Sequence, residues 1–128
     1  MKRNILTILI LILLLTGCAG KAQNGTYRQI SMDEAIAVME ASTDYQILDV
    51  RTQEEFDSGH IPGAICIPNE SISEAVLQQL PSKDQLLLVY CRSGNRSRQA
   101  AGKLANLGYT HIVEFGGIGS WPGEITTD

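Results

Sequence analysis

From residue 27 onward, short apolar runs alternate with segments in which apolar side chains return every three or four positions. YQILDV (residues 45–50), AICI (64–67), QLLLVY (85–90) and HIVEF (111–115) are too short for helices and rich in Ile, Leu and Val. They are predicted strands. QLLLVY is apolar almost throughout, the pattern of a strand covered on both faces. The intervening segments carry helix signals. Ser31 followed three residues later by Glu34 is a capping box, with Ala35, Ile36, Val38 and Met39 as the apolar stripe behind it. Thr52 with Glu55 opens a second, short helix that Gly59 stops. Ser71 with Glu74 predicts a third helix through Leu80, ended by Pro81. A fourth is predicted over 95–107, with Ala100, Ala101, Leu104 and Leu107 on one face and Gly108 past its end.

Alternation of strand and helix predicts a single α/β domain, a mostly parallel central sheet with helices on both faces. Ligands of such sheets collect at the carboxyl ends of strands. Val50–Arg51 and Tyr90–Cys91 are two such ends. No internal repeat or low-complexity tract interrupts the pattern.

The first residues follow another rule. Lys2 and Arg3 precede ILTILILILLL, an apolar run of eleven residues. This fits an export signal and falls short of the roughly 20 residues that span a bilayer. LTGC, at 15–18, resembles the lipobox of bacterial lipoproteins. That resemblance implies cleavage before Cys18 and lipid on Cys18. The alternative is an ordinary secretory signal with an incidental cysteine, but no Ala-x-Ala site stands at the expected place and CAGKA is a poor substitute. The expected organisation is a signal peptide at 1–17, a lipidated N-terminus and small polar tether at 18–26, and one domain at 27–128. The expected location is extracytoplasmic, periplasmic or at the cell surface, anchored by lipid in the cell membrane or the outer membrane. Ala19, rather than Asp, leaves outer-membrane sorting open.

Charge supports an acyl anchor over an electrostatic one. The chain carries a formal −4, and loss of Lys2 and Arg3 with the signal leaves eight basic against fourteen acidic side chains, a balance of −6. Such a domain is not drawn to nucleic acid or to an anionic membrane surface. With Cys18 taken by lipid, two cysteines remain, Cys66 and Cys91. Outside the cytoplasm they could pair, and their spacing does not decide whether they meet.

Cys91 is where the chemistry concentrates. It ends an apolar strand, and the loop Arg92–Ser93–Gly94–Asn95–Arg96 leads directly into a predicted helix. A helix N-terminus offers free N–H groups and partial positive charge, and a tight loop adds further N–H groups converging on one point. A cysteine there is expected to be largely thiolate at neutral pH. Arg92 and Arg96 push the same way, and Gly94 tolerates the positive φ that such a nest requires. The loop therefore reads as a cradle for a nucleophilic sulfur that carries or attacks an anionic group. The bland alternative is a buried structural cysteine that precedes a loop.

Three motifs now make a resemblance specific. LDVRTQEEFDSGHIPGAICIP (48–68) resembles the first signature of the rhodanese family, YCRSGNRS (90–97) its active-site loop, and GGIGSW (116–121) its C-terminal signature. The resemblance implies an α/β fold and transfer of sulfane sulfur. A cysteine takes sulfur from a donor such as thiosulfate, holds it as a persulfide and passes it to a thiol or cyanide. On this chain it implies Cys91 as the persulfide-forming nucleophile, with backbone amides of Arg92, Ser93, Gly94, Asn95 and Arg96 around the transferred sulfur. Arg92 and Arg96 become candidate ligands of the anionic donor. Asp49 and Arg51, at a neighbouring strand end, are implied to order the loops, Arg51 being balanced between support and substrate contact. No cofactor and no metal are implied.

Two other readings compete. A rhodanese-fold relay or binding module would receive its persulfide from a protein partner and show little turnover. Cdc25-type phosphatases share the fold, but their loop is one residue longer, Cys-x5-Arg. Here Arg96 stands at Cys-x4-Arg and no His precedes Cys91. A tetrahedral phosphate needs the wider loop, whereas one sulfur atom fits the narrow one. His60 is expected to be structural, since a persulfide shuttle needs no side-chain proton relay. Cys66 stands where the family more often has Asn, and is expected in the core, with sulfur acceptance or a disulfide to Cys91 as alternatives.

Overall fold

The computed structural model describes residues 26–128. The proposed signal peptide, Cys18 and nearly all of the proposed tether lie outside the described residues.

Five strands form one parallel sheet in the order β1-β5-β4-β2-β3. They are β1 Arg28–Gln29, β2 Tyr45–Asp49, β3 Ile65–Cys66, β4 Leu86–Cys91 and β5 Ile112–Gly117. Among the described residues three α-helices accompany them: α1 Met32–Ala41, α2 Gln53–Ser58 and α3 Asn95–Asn106. Two of the three expected capping boxes are present in full. Ser31 and Glu34 exchange side-chain and backbone bonds at the start of α1, and Thr52 and Glu55 do so at α2.

The sheet separates two apolar layers, as strand periodicity requires. Leu87, Val89 and Cys91 of β4 turn one way, with Leu48 and Val50, onto Ala100, Ala101 and Leu104 of α3. Leu88 and Tyr90 turn the other way, with Ile47, Ile61 and Phe115, onto Ala35 and the half-buried side chains of α1. The same alternation that buries β4 on both faces thus places Cys91 on the α3 side and Tyr90 behind it.

The third box does not form. Instead of a helix through Leu80 there are two 3-10 turns, Asn69–Ser71 and Glu74–Gln78, and the second is capped by Ser73, whose hydroxyl accepts from the Ala75 amide. The segment is tied at both ends, by the Asn69 amide on the Val50 carbonyl just past β2 and by the Tyr109 hydroxyl, in the connection between α3 and β5, on the Leu80 carbonyl. Between those ties it can bury Val76 and Leu80 with short turns, and a continuous helix would overrun them. β1 also escapes prediction. Its two exposed residues pair with Val113 and Glu114 and carry no apolar pattern of their own.

Candidate active site

Because every strand is parallel, Asp49, Cys66 and Cys91 arrive at the same edge of the sheet. Past Cys91 the chain turns through Arg92, Ser93 and Gly94 into α3. Gly94 is the N-cap residue, with φ +109°, left-handed backbone that glycine adopts without penalty. No side chain caps this helix end. The Gly94 amide instead donates to Cys91 Sγ at 3.0 Å, and the Ser97 hydroxyl oxygen lies 3.4 Å from the same sulfur. Cys91 itself is only 1% exposed, at the floor of the loop.

Burial pushes the Cys91 thiol up. Hydrogen bonds from the Ser97 side chain and from the amides of Ser97, Gly94 and Ser93 outweigh it, so the thiol lies below its ordinary value. Of the five amides expected around the sulfur, those of Ser93 and Gly94 act on it, joined by Ser97 from the first turn of α3.

The arginines are placed differently from one another. Arg92 is exposed at the rim. Arg96 is close enough to Cys91 to feel its charge, but its guanidinium is engaged by Glu55 of α2, at 2.6 Å and 3.0 Å. Arg96, followed by Thr52, holds the Glu55 carboxyl down to about 2. Asn95 is exposed, and its side-chain oxygen accepts from Arg98.

Asp49 and Arg51 belong to the opposite face. Arg51 Nη2 donates to Asp49 Oδ2 at 2.7 Å and to the Gly59 carbonyl at 2.7 Å, and the Tyr90 hydroxyl donates to Asp49 Oδ2 at 2.7 Å. The Tyr90 hydroxyl also accepts from the Ile61 amide at 3.1 Å. This network fastens β2, β4 and the chain after α2 from behind the sheet. His60 is buried nearby, its ring stacked on Phe56 with centroids 3.6 Å apart and its Nδ1 2.8 Å from the Phe56 carbonyl.

Cys66 and Cys91 are both free thiols. Asp49 pairs with Cys66 on one side and Tyr90 on the other, so β3 and β4 are two strand spacings apart. At about 4.8 Å each, that is roughly 9 to 10 Å between backbones. A disulfide needs Cα atoms within about 7 Å. Burial first, then Asp49, push the Cys66 thiol up to about 11, and its sulfur lies 3.8 Å from the Arg51 carbonyl. Cys66 is therefore protonated where Cys91 is activated.

Two residues of this site carried only weak sequence signals. Ser97 ends the loop motif, and its depth shows only once α3 is docked. Glu114 is a lone carboxylate within the apolar run HIVEF, the one local hint that this strand holds something polar. A cavity of about 370 Å³ lies elsewhere, at the start of β4 and β5, lined by Tyr27, Leu86, His111 and Val113 among others. It sits about five residues, or roughly 16 Å, back along β4 from Cys91, and takes no part in this site.

The profile of the rhodanese-like domain family matches residues 31–124. The chain is 38% identical over 71 residues to thiosulfate sulfurtransferase PspE of Escherichia coli (strain K12), covering 56% of this chain and 68% of that one. It is 30% identical over 97 residues to thiosulfate sulfurtransferase GlpE of Shewanella oneidensis, covering 75% of this chain and 93% of that one. It spans about a quarter of some longer relatives. Among solved structures, a rhodanese with anions from E. coli superposes with a TM-score of 0.61 at 32% identity, over 66% of this chain and 99% of that one.

Proposed function

The chain belongs to the rhodanese-like domain family, and on that premise we propose that it moves sulfane sulfur through a persulfide on Cys91. The observation that carries the reading is the Gly94 amide on Cys91 Sγ, at the head of a helix with no other cap. A thiolate there attacks the outer sulfur of a thiosulfate-like donor. The bond to sulfite breaks, and the outer sulfur stays on Cys91 as a persulfide anion. Loop N–H groups aimed at that position stabilise the charge it carries. A thiol or cyanide then takes the sulfur and Cys91 leaves as thiolate. Burial of the sulfur shields the persulfide from water and stray oxidants between the two steps.

Incubation with thiosulfate should add about 32 Da, one sulfur atom, to the peptide that holds Cys91 and not to that of Cys66. Cys91→Ser should remove both the adduct and thiocyanate release on addition of cyanide. An adduct mapped elsewhere would overturn the assignment. An adduct formed only when a persulfidated protein is supplied would make the chain a relay.

Glu55 takes one bond from each Arg96 Nη and offsets its charge, so it competes with an anionic donor for Arg96. Glu55→Gln weakens that hold, and the KM for thiosulfate is expected to fall about fivefold, the equivalent of roughly 1 kcal/mol. An unchanged KM would remove Arg96 from the donor site. Since Glu55 titrates near 2 when folded, this pair contributes above the ordinary carboxylate range and is lost only as pH falls toward 2.

The same proposal extends to lipid on Cys18 and attachment on the extracytoplasmic side of a cell or outer membrane. It is supported by LTGC following eleven apolar residues. Cys18→Ala should leave unprocessed precursor or release the protein from membranes. Substituted protein found in membranes at its mature size would refute the anchor.

A further inference from the structure

Glu114 is a buried carboxylate for which the sulfur shuttle has so far no use. It is 3% exposed, and no cation among the described residues lies within ion-pair distance of it. Its Oε1 accepts from the Ser97 hydroxyl at 2.6 Å and from the Gly116 amide at 2.8 Å. Ser97, itself fully buried, has its oxygen 2.9 Å from the Gly94 carbonyl and 3.4 Å from Cys91 Sγ.

A hydroxyl has one proton to give. Given to Glu114, the shortest and charge-assisted partner, it leaves lone pairs toward Cys91, and that contact is then satisfied by a thiol that donates. If Cys91 is a thiolate, the hydroxyl must turn its proton to sulfur. Glu114 then keeps its contact with Ser97 only by carrying a proton and donating it. Proton positions on Cys91 and Glu114 are thus tied through one rotor.

We propose that Ser97 and Glu114 are positioning residues that take up the Cys91 proton, through the chain Cys91 Sγ, Ser97 Oγ, Glu114 Oε1. The inference rests on Cys91 being the nucleophile. The S–H bond breaks, Ser97 Oγ receives that proton while passing its own to Glu114 Oε1, and Cys91 is left as thiolate. No charge leaves the site. Attack on the donor expels sulfite, and the later transfer to an acceptor returns Cys91 as thiolate, so the proton stays on Glu114 through the cycle.

Other charged groups are already committed or turned away. Arg96 on α3 is held by Glu55 of α2, Asp49 and Arg51 close on each other behind the sheet, and Arg28 of β1, Arg92 and Arg98 are exposed. His111, at the far end of the β5 chain, is exposed and contacts Thr110. Tyr90 is engaged by Asp49.

The test is the pH dependence of Cys91 alkylation by iodoacetamide, followed by peptide mapping. A bystander carboxylate would repel the thiolate, so its neutralisation in Glu114→Gln would speed alkylation. A proton acceptor predicts the opposite sign: near pH 6 Glu114→Gln should react roughly tenfold more slowly, as for a shift of about one pH unit. Ser97→Ala should behave likewise, and Ser97→Thr, which keeps a hydroxyl, should retain the wild-type profile. Equal or faster alkylation in Glu114→Gln would overturn the relay. Should the variants not fold, the wild-type protein with ¹³C-labelled glutamate decides. The Glu114 Cδ resonance should step with the thiol and move in Cys91→Ser, and an unmoved resonance would overturn the proposal. If wild-type Cys91 neither alkylates nor gains sulfur, the sulfur-transfer reading fails and the relay with it. A relay that fails while wild-type Cys91 still gains sulfur leaves that reading standing.

Discussion

Replacing Gly117 with alanine should slow sulfur loading of Cys91 by about a hundredfold while leaving the remainder of the sheet paired. Gly117 lies opposite Cys91 in the β4–β5 ladder, where the register shifts between Val89 and Cys91. A Cβ there would stand 2.0 Å from the Arg92 carbonyl oxygen, 2.6 Å from its carbon and 2.9 Å from Ser93 Cα. All three are backbone, so no side chain can swing aside. The backbone at Gly117 has φ −122°, which any residue adopts, so the obstacle is space alone. To accept the methyl, the loop must move by about 1 Å or more at the residues that aim its amides, and a displacement of that size costs on the order of 10²-fold in rate. The measurement is kcat/KM with thiosulfate and cyanide, beside circular dichroism to confirm the fold. Gly119→Ala is the control, since a Cβ there meets no atom within 4 Å. Activity of Gly117→Ala within a few-fold of wild type would mean that loop geometry is not what activates the sulfur.

Asp49→Ala should act on the other side of the sheet and on another quantity. It leaves the Arg51 guanidinium, 7% exposed, without its carboxylate, and the Tyr90 hydroxyl without its acceptor. Removing one partner of a buried pair costs about 3–5 kcal/mol, because the remaining charge stays desolvated. For a domain of this size the thermal midpoint should fall by at least about 12 °C. Asp49→Asn keeps the shape and the acceptor oxygen and should lose less. Persulfide formation by the folded fraction should persist well below the midpoint, since the network lies behind Tyr90 rather than beside Cys91. A folded variant that loads no sulfur would place Asp49 in the chemistry after all.

The two experiments separate what is nearly inseparable in the sequence. Asp49, Arg51 and Cys91 all fall at strand ends, and the alternation of apolar runs brings those ends to one edge. Which side of the sheet each side chain takes depends on register. Cys91 shares the parity of Leu87 and Val89, and Asp49 meets Tyr90, one residue earlier and therefore on the opposite face. Arg96 was readable as a cation five residues from a thiol, but its partner Glu55 is 41 residues distant. Long-range pairing of that kind leaves no local trace. The boxes at Ser31 and Thr52 were legible because both partners lie within one helical turn. The one at Ser71 failed because long-range fastenings at Asn69 and Leu80 outweigh a local helix signal.

Local chemistry therefore settled four of the five strands, the three α-helices and the position of a thiol between a buried strand and a helix start. These follow from side-chain period, capping and the conformational freedom of glycine, all of which act within a few residues. Only the folded sheet decided that Cys66 stands two strands from β4, that Arg51 is held behind the nucleophile, and that Ser97 joins Cys91 to Glu114. Those are relations across strands and between layers, and they exist only where burial makes distant segments share one space.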